Sequence, residues 1–394
     1  MSAIRFAPIV VAVIVLAGMV AYAYYTVPSA SIGSGRVTIT VGYPDSLDES
    51  DVTDMYAYQL LSAQGIDVVP TFYTSPPLSY KALISDQVDI AFDSTAQTIA
   101  RGPGVADEQT TCVASYVESG TFLTIANSGI TSPSQMLGKT QEDGGPGTSS
   151  RTLDLYNYQQ ANVPVTTAGV NSSAVYLKKL AGNSAKMHDL ETNVTQAETG
   201  DDFLLSDVSS PSINNTAHNG PYHVLFYAPN TVWDNCFAVR DSWLSVSANQ
   251  KILVKFIAAI YEAQRYFISN PSQLVSFAEQ QLPLTSPAEI QFVTAFYPAH
   301  FIYWPYGSYN LQGNQNLYTK YNNTVQYLET AGDVSGYISN STVKPYGVVD
   351  KWFEYQALQS LGPYKYPSSL PWVTPAFAAD VSSWVPSSMG GVSS

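Results

Sequence analysis

Residues 144–150, Gly-Gly-Pro-Gly-Thr-Ser-Ser, carry the clearest chemistry in the chain. Glycines let a backbone approach a ligand closely. A helix that starts behind them offers free N–H groups at the positive end of its dipole. Gly145 and Gly147 supply the approach, and Thr148, Ser149 and Ser150 add hydroxyls. The set suits an anion or a carboxylate-bearing solute. It is not a phosphate loop of the GxxxxGK[ST] type, because the lysine is absent. A plain surface turn followed by a Ser/Thr helix cap accounts for the same residues. Other reactive types are sparse. His188, His218, His223 and His300 form no HExxH or HxH pattern and have no Ser or Cys partner at a recognisable spacing. Neither a zinc hydrolase nor a hydrolytic triad is indicated. Cys112 and Cys236 are too few for a Cys-rich metal site or a disulfide scaffold. No cofactor or metal is expected.

Composition narrows the class. The chain has 394 residues, 17 Lys+Arg against 31 Asp+Glu, and a formal charge of −14. Such a balance argues against gripping phosphate backbones, so no nucleic-acid partner is expected. Only 12% of residues are charged while 28 are tyrosine, and a 45% hydrophobic fraction excludes a disordered chain. Few charges, many Tyr, Ser and Thr, and an acidic pI resemble surface proteins of thermoacidophilic archaea.

The elements that must position the loop alternate between two periods. Residues 37–43, 66–74, 88–94, 110–118 and 121–127 read as strands. Residues 51–64, 78–86 and 95–102 read as helices between them, with Gly65 and Gly102 as stops. Residues 132–137, 151–161 and 175–180 read as helical, and 201–207, 222–229 and 236–240 as strands. Residues 251–269 have the clearest helical stripe, with Leu253, Phe256, Ile257, Ile260 and Phe267 on one face and Gln264 off pattern. Helix-like stretches recur at 316–329 and 349–361. This βαβα order predicts an α/β protein with a parallel sheet covered on both faces.

Open parallel sheets bind ligands outside the carboxyl ends of their strands. That rule selects four junctions. The first holds Tyr43, Asp45 and Ser46, and the second Asp93, Ser94 and Thr95. The third is the glycine loop, and the fourth ends at Asp207. Each Ser or Thr also fits as an ordinary helix cap. Arg151 reads as a counter-charge to Asp93, a partner for an acidic ligand, or a solvated helix face. Tyr43, Tyr116 and Trp233 could stack on a ring, or pack in the core.

The N-terminus supplies an address. Residues 7–25 hold 19 uncharged residues, enough to span a bilayer as a helix, and Arg5 is the one basic side chain before them. An uncleaved transmembrane anchor fits the length. A cleaved signal peptide fits Ala21-Tyr22-Ala23. Either sends the body out of the cytoplasm, at the cell surface or secreted, with residues 26–36 as a tether. Five glycosylation sequons, at Asn171, Asn193, Asn214, Asn322 and Asn340, agree with export.

Four stretches, in order, carry a family resemblance: 37–43, 80–102 (YKALISDQVDIAFDSTAQTIARG), 132–156 (SPSQMLGKTQEDGGPGTSSRTLDLY) and 250–280. Together they resemble the extracytoplasmic solute-binding proteins of ABC transporters, of the nitrate/sulfonate/taurine and thiamine-precursor-like group. The resemblance covers residues 37–290, roughly two thirds of the chain. It implies the two-lobed type II periplasmic-binding-protein fold. Lobe 1 would be 37–119 plus 231–300 and lobe 2 120–230, with 1–25 as anchor or signal peptide and 301–394 as a helical, aromatic-rich C-terminal extension. It also implies a monomer without catalysis that captures a small polar or anionic solute between the lobes and presents it to an ABC permease. The strands that carry Cys112 and Cys236 are neighbours in that fold, so the resemblance implies a disulfide, which an exported compartment permits, with two buried free thiols as the alternative. The alternatives are a surface-layer or filament subunit on the same fold, or an enzyme of that fold. Relatives that make thiamine pyrimidine carry a Cys-rich motif that this chain lacks, and those that make menaquinone precursors are cytoplasmic.

Overall fold

The computed structural model describes residues 35–44, 52–73, 76–94, 110–117, 122–127, 129–146, 148–180, 183–201, 222–227, 235–281, 324, 326–328 and 352–362. The membrane-length stretch 7–25, the helix expected at 95–102 and the segments 282–323 and 329–351 lie outside them. Among the described residues no helix is long and apolar enough to cross a membrane.

Strand β1 (Val37–Tyr43) is β-branched and alternating, so Ile39, Val41 and Tyr43 face inward with 2%, 0% and 0% exposure. Helix α1 (Val52–Ala63) follows, burying Val52, Ala57 and Leu61. It stops at Gly65, whose φ of +83° is the left-handed turn that glycine adopts without strain. Strand β2 (Ile66–Phe72), helix α2 (Pro76–Ile84), β3 (Ile90–Ser94) and β4 (Thr110–Val117) complete the first run. Then come β5 (Phe122–Ala126), a 3-10 turn at Pro133–Met136, β6 (Thr140–Asp143), α3 (Ser149–Gln160), β7 (Val165–Thr166), β8 (Val175–Lys179), α4 (Asn183–Glu191), β9 (Ala197–Asp201) and β10 (His223–Tyr227). The chain returns through β11 (Asn235–Arg240), α5 (Asp241–Leu244), α6 (Ser247–Ser269) and α7 (Pro271–Gln281), and α8 (Trp352–Leu361) is the last described element.

The strands build two sheets. The first runs β2-β1-β3-β11-β4 and the second β10-β5-β9-β6-β8-β7. A parallel sheet was the expectation, and both sheets are mixed. β1 is parallel to β2 and β3, while β11 is antiparallel to β3 and β4. In the second sheet β6, β7, β8 and β9 are parallel and β5 runs against β9 and β10. The reason is the route of the chain. β4 leads out of the first sheet into β5 of the second, and β10 leads back into β11. The outgoing and returning strands are antiparallel neighbours in both sheets, with Val117 opposite Asn235 in one and Leu123 opposite Tyr227 in the other.

The first sheet's core is aromatic and aliphatic. Leu253, Phe256, Ile257 and Ile260 of α6 are fully buried, and Phe237 meets Phe256 edge-on at 5.1 Å. Gln264 is also fully buried, with neither amide atom hydrogen-bonded among the described residues. Helix α8 packs on α6 through Phe353, Ala357 and Leu358. Tyr261 donates to Glu354, and Arg265 donates to the carbonyls of Leu361 and Gly362 at 3.0 and 2.8 Å, where a cation complements a helix C-terminus. Tyr327 belongs to the other core, edge-on to Tyr156 of α3 at 5.2 Å. Cys112 of β4 and Cys236 of β11 form a disulfide, with 5.9 Å between their Cα atoms.

Three local readings change. Residues 175–180, expected as a helix, are strand β8, because Val175 and Leu177 alternate into the core. Strand β9 (Ala197–Asp201) begins ahead of the strand expected at 201–207, of which residues 202–207 lie outside the described residues. Strand β6, Thr-Gln-Glu-Asp, had no hydrophobic signature at all, yet Gln141, Glu142 and Asp143 are each fully buried.

Candidate functional site

The carboxyl ends of β1, β2 and β3 lie at Tyr43, Phe72 and Ser94. Ser94 pairs with Asn235, the first residue of the returning strand, so this end of the first sheet is the one from which both connectors leave. In the second sheet, β5 starts at Phe122 opposite Asp201, the carboxyl end of β9, and the parallel strands β6 and β8 end alongside at Asp143 and Lys179. The strand ends of both sheets therefore share the side at which the chain passes between them. Ligands bind at this kind of place in open α/β sheets.

The glycine loop leaves β6 at this end. Asp143 organises it from below. Its carboxylate accepts the Gly145 N–H at 2.7 Å and the Arg151 guanidinium at 2.5 and 2.9 Å. Both ionic partners are buried, with side-chain exposures of 0% and 1%. Thr148 caps α3, accepting the Arg151 backbone N–H at 3.3 Å and donating to the Gly145 carbonyl at 2.8 Å. Ser150 accepts the Gly144 N–H at 2.9 Å. The loop amides at Gly144 and Gly145 and the hydroxyls of Thr148 and Ser150 thus hold the loop itself. Ser149 sits beside them, half-buried. Arg151 is not a solvated helix residue, because its buried guanidinium closes on the Asp143 carboxylate inside the second sheet's own layer.

Beneath the loop lies a buried polar network. Asp154 is fully buried and accepts from Thr199 at 2.7 Å and Thr124 at 3.2 Å. Burial, with Asp143 nearby, pushes its carboxyl well above the usual range, against the hydrogen bonds of Thr199 and Gln141 and the charge of Arg151. Burial likewise raises Glu142, which Lys178 opposes by donating at 2.6 Å. Among the described residues no group of three or more His, Cys, Asp or Glu is placed to hold a metal ion.

Tyr43 sits differently from the sequence expectation. Its ring is wholly buried and its hydroxyl bonds Asp54 at 2.6 Å and also Tyr58, so it presents no face to a solute. Phe72, 42% exposed and stacked on Tyr43 at 5.4 Å, reaches solvent at this end. Asp93 and Ser94 occupy the last two positions of β3, opposite Cys236 and Asn235. Asp45, Ser46, Thr95, Gly147, Asp207 and Trp233 lie outside the described residues. Of the sequons, Asn171 and Asn193 are exposed, and Asn214, Asn322 and Asn340 lie outside the described residues.

Lys179 was missed by the sequence reading. It ends β8 beside Asp143, and its stem lies over Gly145, where a Cβ would come within 2.7 Å of its Cγ and Cδ. Read as a strand, Val175-Tyr176-Leu177-Lys178-Lys179 puts Val175, Leu177 and Lys179 on one face, and would have aimed Lys179 at the loop.

Neither a protein-family model nor a curated protein sequence matches the chain. Solved structures do match it. The periplasmic sulfonate-binding protein SsuA of Methylobacillus flagellatus KT is 12% identical, with a TM-score of 0.59 over 86% of this chain and 100% of its own. The alkanesulfonate-binding protein SsuA of Xanthomonas axonopodis pv. citri, bound to MOPS, is 11% identical, with a TM-score of 0.56 over 77% and 96%. The CA3427 gene product of Candida albicans, described as having the generic periplasmic binding protein fold, is 16% identical, with a TM-score of 0.55 over 76% and 92%. The two sheets, the double crossover and these neighbours together show that this chain has the periplasmic-binding-protein fold.

Proposed function

We propose that the protein is an extracytoplasmic solute receptor, tethered by its N-terminal segment, that captures a small polar or anionic solute between its two lobes and hands it to an ABC permease, with no chemical step. One observation carries the reading. The strand ends of both sheets, with the glycine loop, lie on the side where the chain crosses twice. The outgoing and returning strands are antiparallel neighbours in both sheets, and closure of the lobes about these two crossings would bring the strand ends together over a solute. The neighbours named for sulfonate binding support an anionic solute. Asp93 and Ser94 from the first lobe, and residues 145–150 from the second, are the proposed walls, with Asp45, Ser46, Thr95, Asp207 and Trp233 completing them.

The test is a thermal-shift screen against nitrate, sulfonates, thiamine precursors, amino acids and oligopeptides. A receptor gains stability from its ligand by mass action, about 2.7 kcal/mol at a hundredfold excess over Kd. A clear rise in melting temperature with one solute class supports the reading. No shift with any solute at millimolar concentration contradicts it.

A further inference from the structure

The body is strongly acidic, so its overall field repels an anion. Over more than a Debye length, about 8 Å at physiological salt, that field is screened, and local charge decides. The cations near the loop are therefore worth following one by one. Arg151 is closed on Asp143. Lys178, the neighbour in β8, points to the other face and is held by Glu142 and Asp189 at 2.6 and 3.1 Å. Lys186 is buried and donates to the Thr199 carbonyl at 2.5 Å. Lys179 differs from all three. Its residue is exposed, and it makes no ion pair or hydrogen bond among the described residues.

Lys179 is also held in place. Its Cγ and Cδ lie where a side chain at position 145 would sit, and Gly145 takes a φ of +86°. A glycine at this position satisfies both the turn and the passage of the lysine stem. The backbone fixes the same arrangement. Asp143 and Lys179 are register partners at the strand ends, and the Leu180 N–H donates to the Asp143 carbonyl at 2.9 Å. Asp143 has its own counter-ion, so Lys179 is not needed to neutralise it.

We propose that Lys179 is the ion-pairing residue for an oxyanion group of the solute, a sulfonate, phosphate or carboxylate, bound at the ends of β6 and β8. The inference rests on the receptor reading and narrows its solute class to anions. A lysine that merely covers the loop with its stem would look the same in geometry. Charge separates the two roles.

The full chain in mild detergent is titrated with four probes of matched butyl body: 1-butanesulfonate, pentanoate, 1-butanol and butylammonium. Wild type, Lys179→Met and Lys179→Arg are compared. Methionine keeps an apolar stem and removes the charge. The wild type is expected to bind one or both anions and neither other probe. Lys179→Met should weaken that binding about 10- to 100-fold, as for loss of a hydrogen bond to a charged group. Lys179→Arg should restore most of it, and all three proteins should melt alike without ligand. Equal anion affinity in wild type and Lys179→Met overturns the inference and leaves the receptor reading standing. So does a wild type that takes only butanol or butylammonium. A wild type that binds none of the four, and no solute of the wider screen, overturns both.

Discussion

Replacing Arg151 by methionine tests the reasoning about the loop most severely. The guanidinium and the Asp143 carboxylate meet twice, at 2.5 and 2.9 Å, with side-chain exposures of 1% and 0%. Removing one member of such a pair leaves a buried charge without its partner, which costs about 3–5 kcal/mol. Asp154 lies close by, fully buried, so the remaining carboxylate also keeps an acidic neighbour. The expected loss for Arg151→Met is therefore about 3–5 kcal/mol. Urea unfolding followed by far-UV circular dichroism measures it, with the m-value as the check that the unfolding transition is comparable. Adding Asp143→Asn to Arg151→Met removes the stranded charge and should recover stability relative to the single variant. The same change at Arg36, whose pair with Asp67 is largely exposed, should do little. A loss below about 1 kcal/mol for Arg151→Met, with no recovery in the double variant, would refute the claim that this pair holds the loop.

Three further outcomes follow from the same structure. Replacing Cys112 and Cys236 by serine opens a cross-link spanning 124 residues and should cost about 5 kcal/mol in the chain-entropy model, read as a lower melting temperature that reductant does not change further. Gly145→Ala forces a side chain into a left-handed turn and against Lys179, and should cost about 1–2 kcal/mol by urea unfolding. Asp154 holds its proton to a higher pH in the folded state than unfolded, so folding retains more protons above about pH 4 and stability falls as pH rises. Asp154→Asn should flatten that decline, leaving the part with the same sign that comes from Glu142. An unchanged slope contradicts the assignment.

How far the sequence can be read depends on where each element's stabilising partners lie. The first sheet was legible because its information is local. The alternation of Ile39, Val41 and Tyr43 and the stripe of Leu253, Phe256, Ile257 and Ile260 state which side faces the core. The parity of β1 also contained the answer about Tyr43, which shares the inward face with Ile39 and Val41. Its place at a strand end outweighed that parity in the sequence reading. The second sheet was harder. β6 and β9 bury Gln141, Glu142, Asp143, Glu198 and Thr199, and such residues look like loop until their partners are known. The partners sit on other elements: Arg151 on α3, Lys178 on β8, Lys186 on α4. A window a few residues wide does not contain them. The two lysines at the end of β8 hid its short apolar alternation, and with it the position of Lys179. The glycine loop was found by composition, but its hydroxyls turn out to hold the loop and cap the helix.

The central claim is that a solute binds at the strand ends between the two lobes. A calorimetric titration of the full chain with the solute that most raises its melting temperature tests this directly. The account predicts saturable binding of one solute per chain, weakened by Lys179→Met. No saturable heat from any stabilising solute, or binding that Lys179→Met and Gly145→Ala both leave untouched, would contradict it.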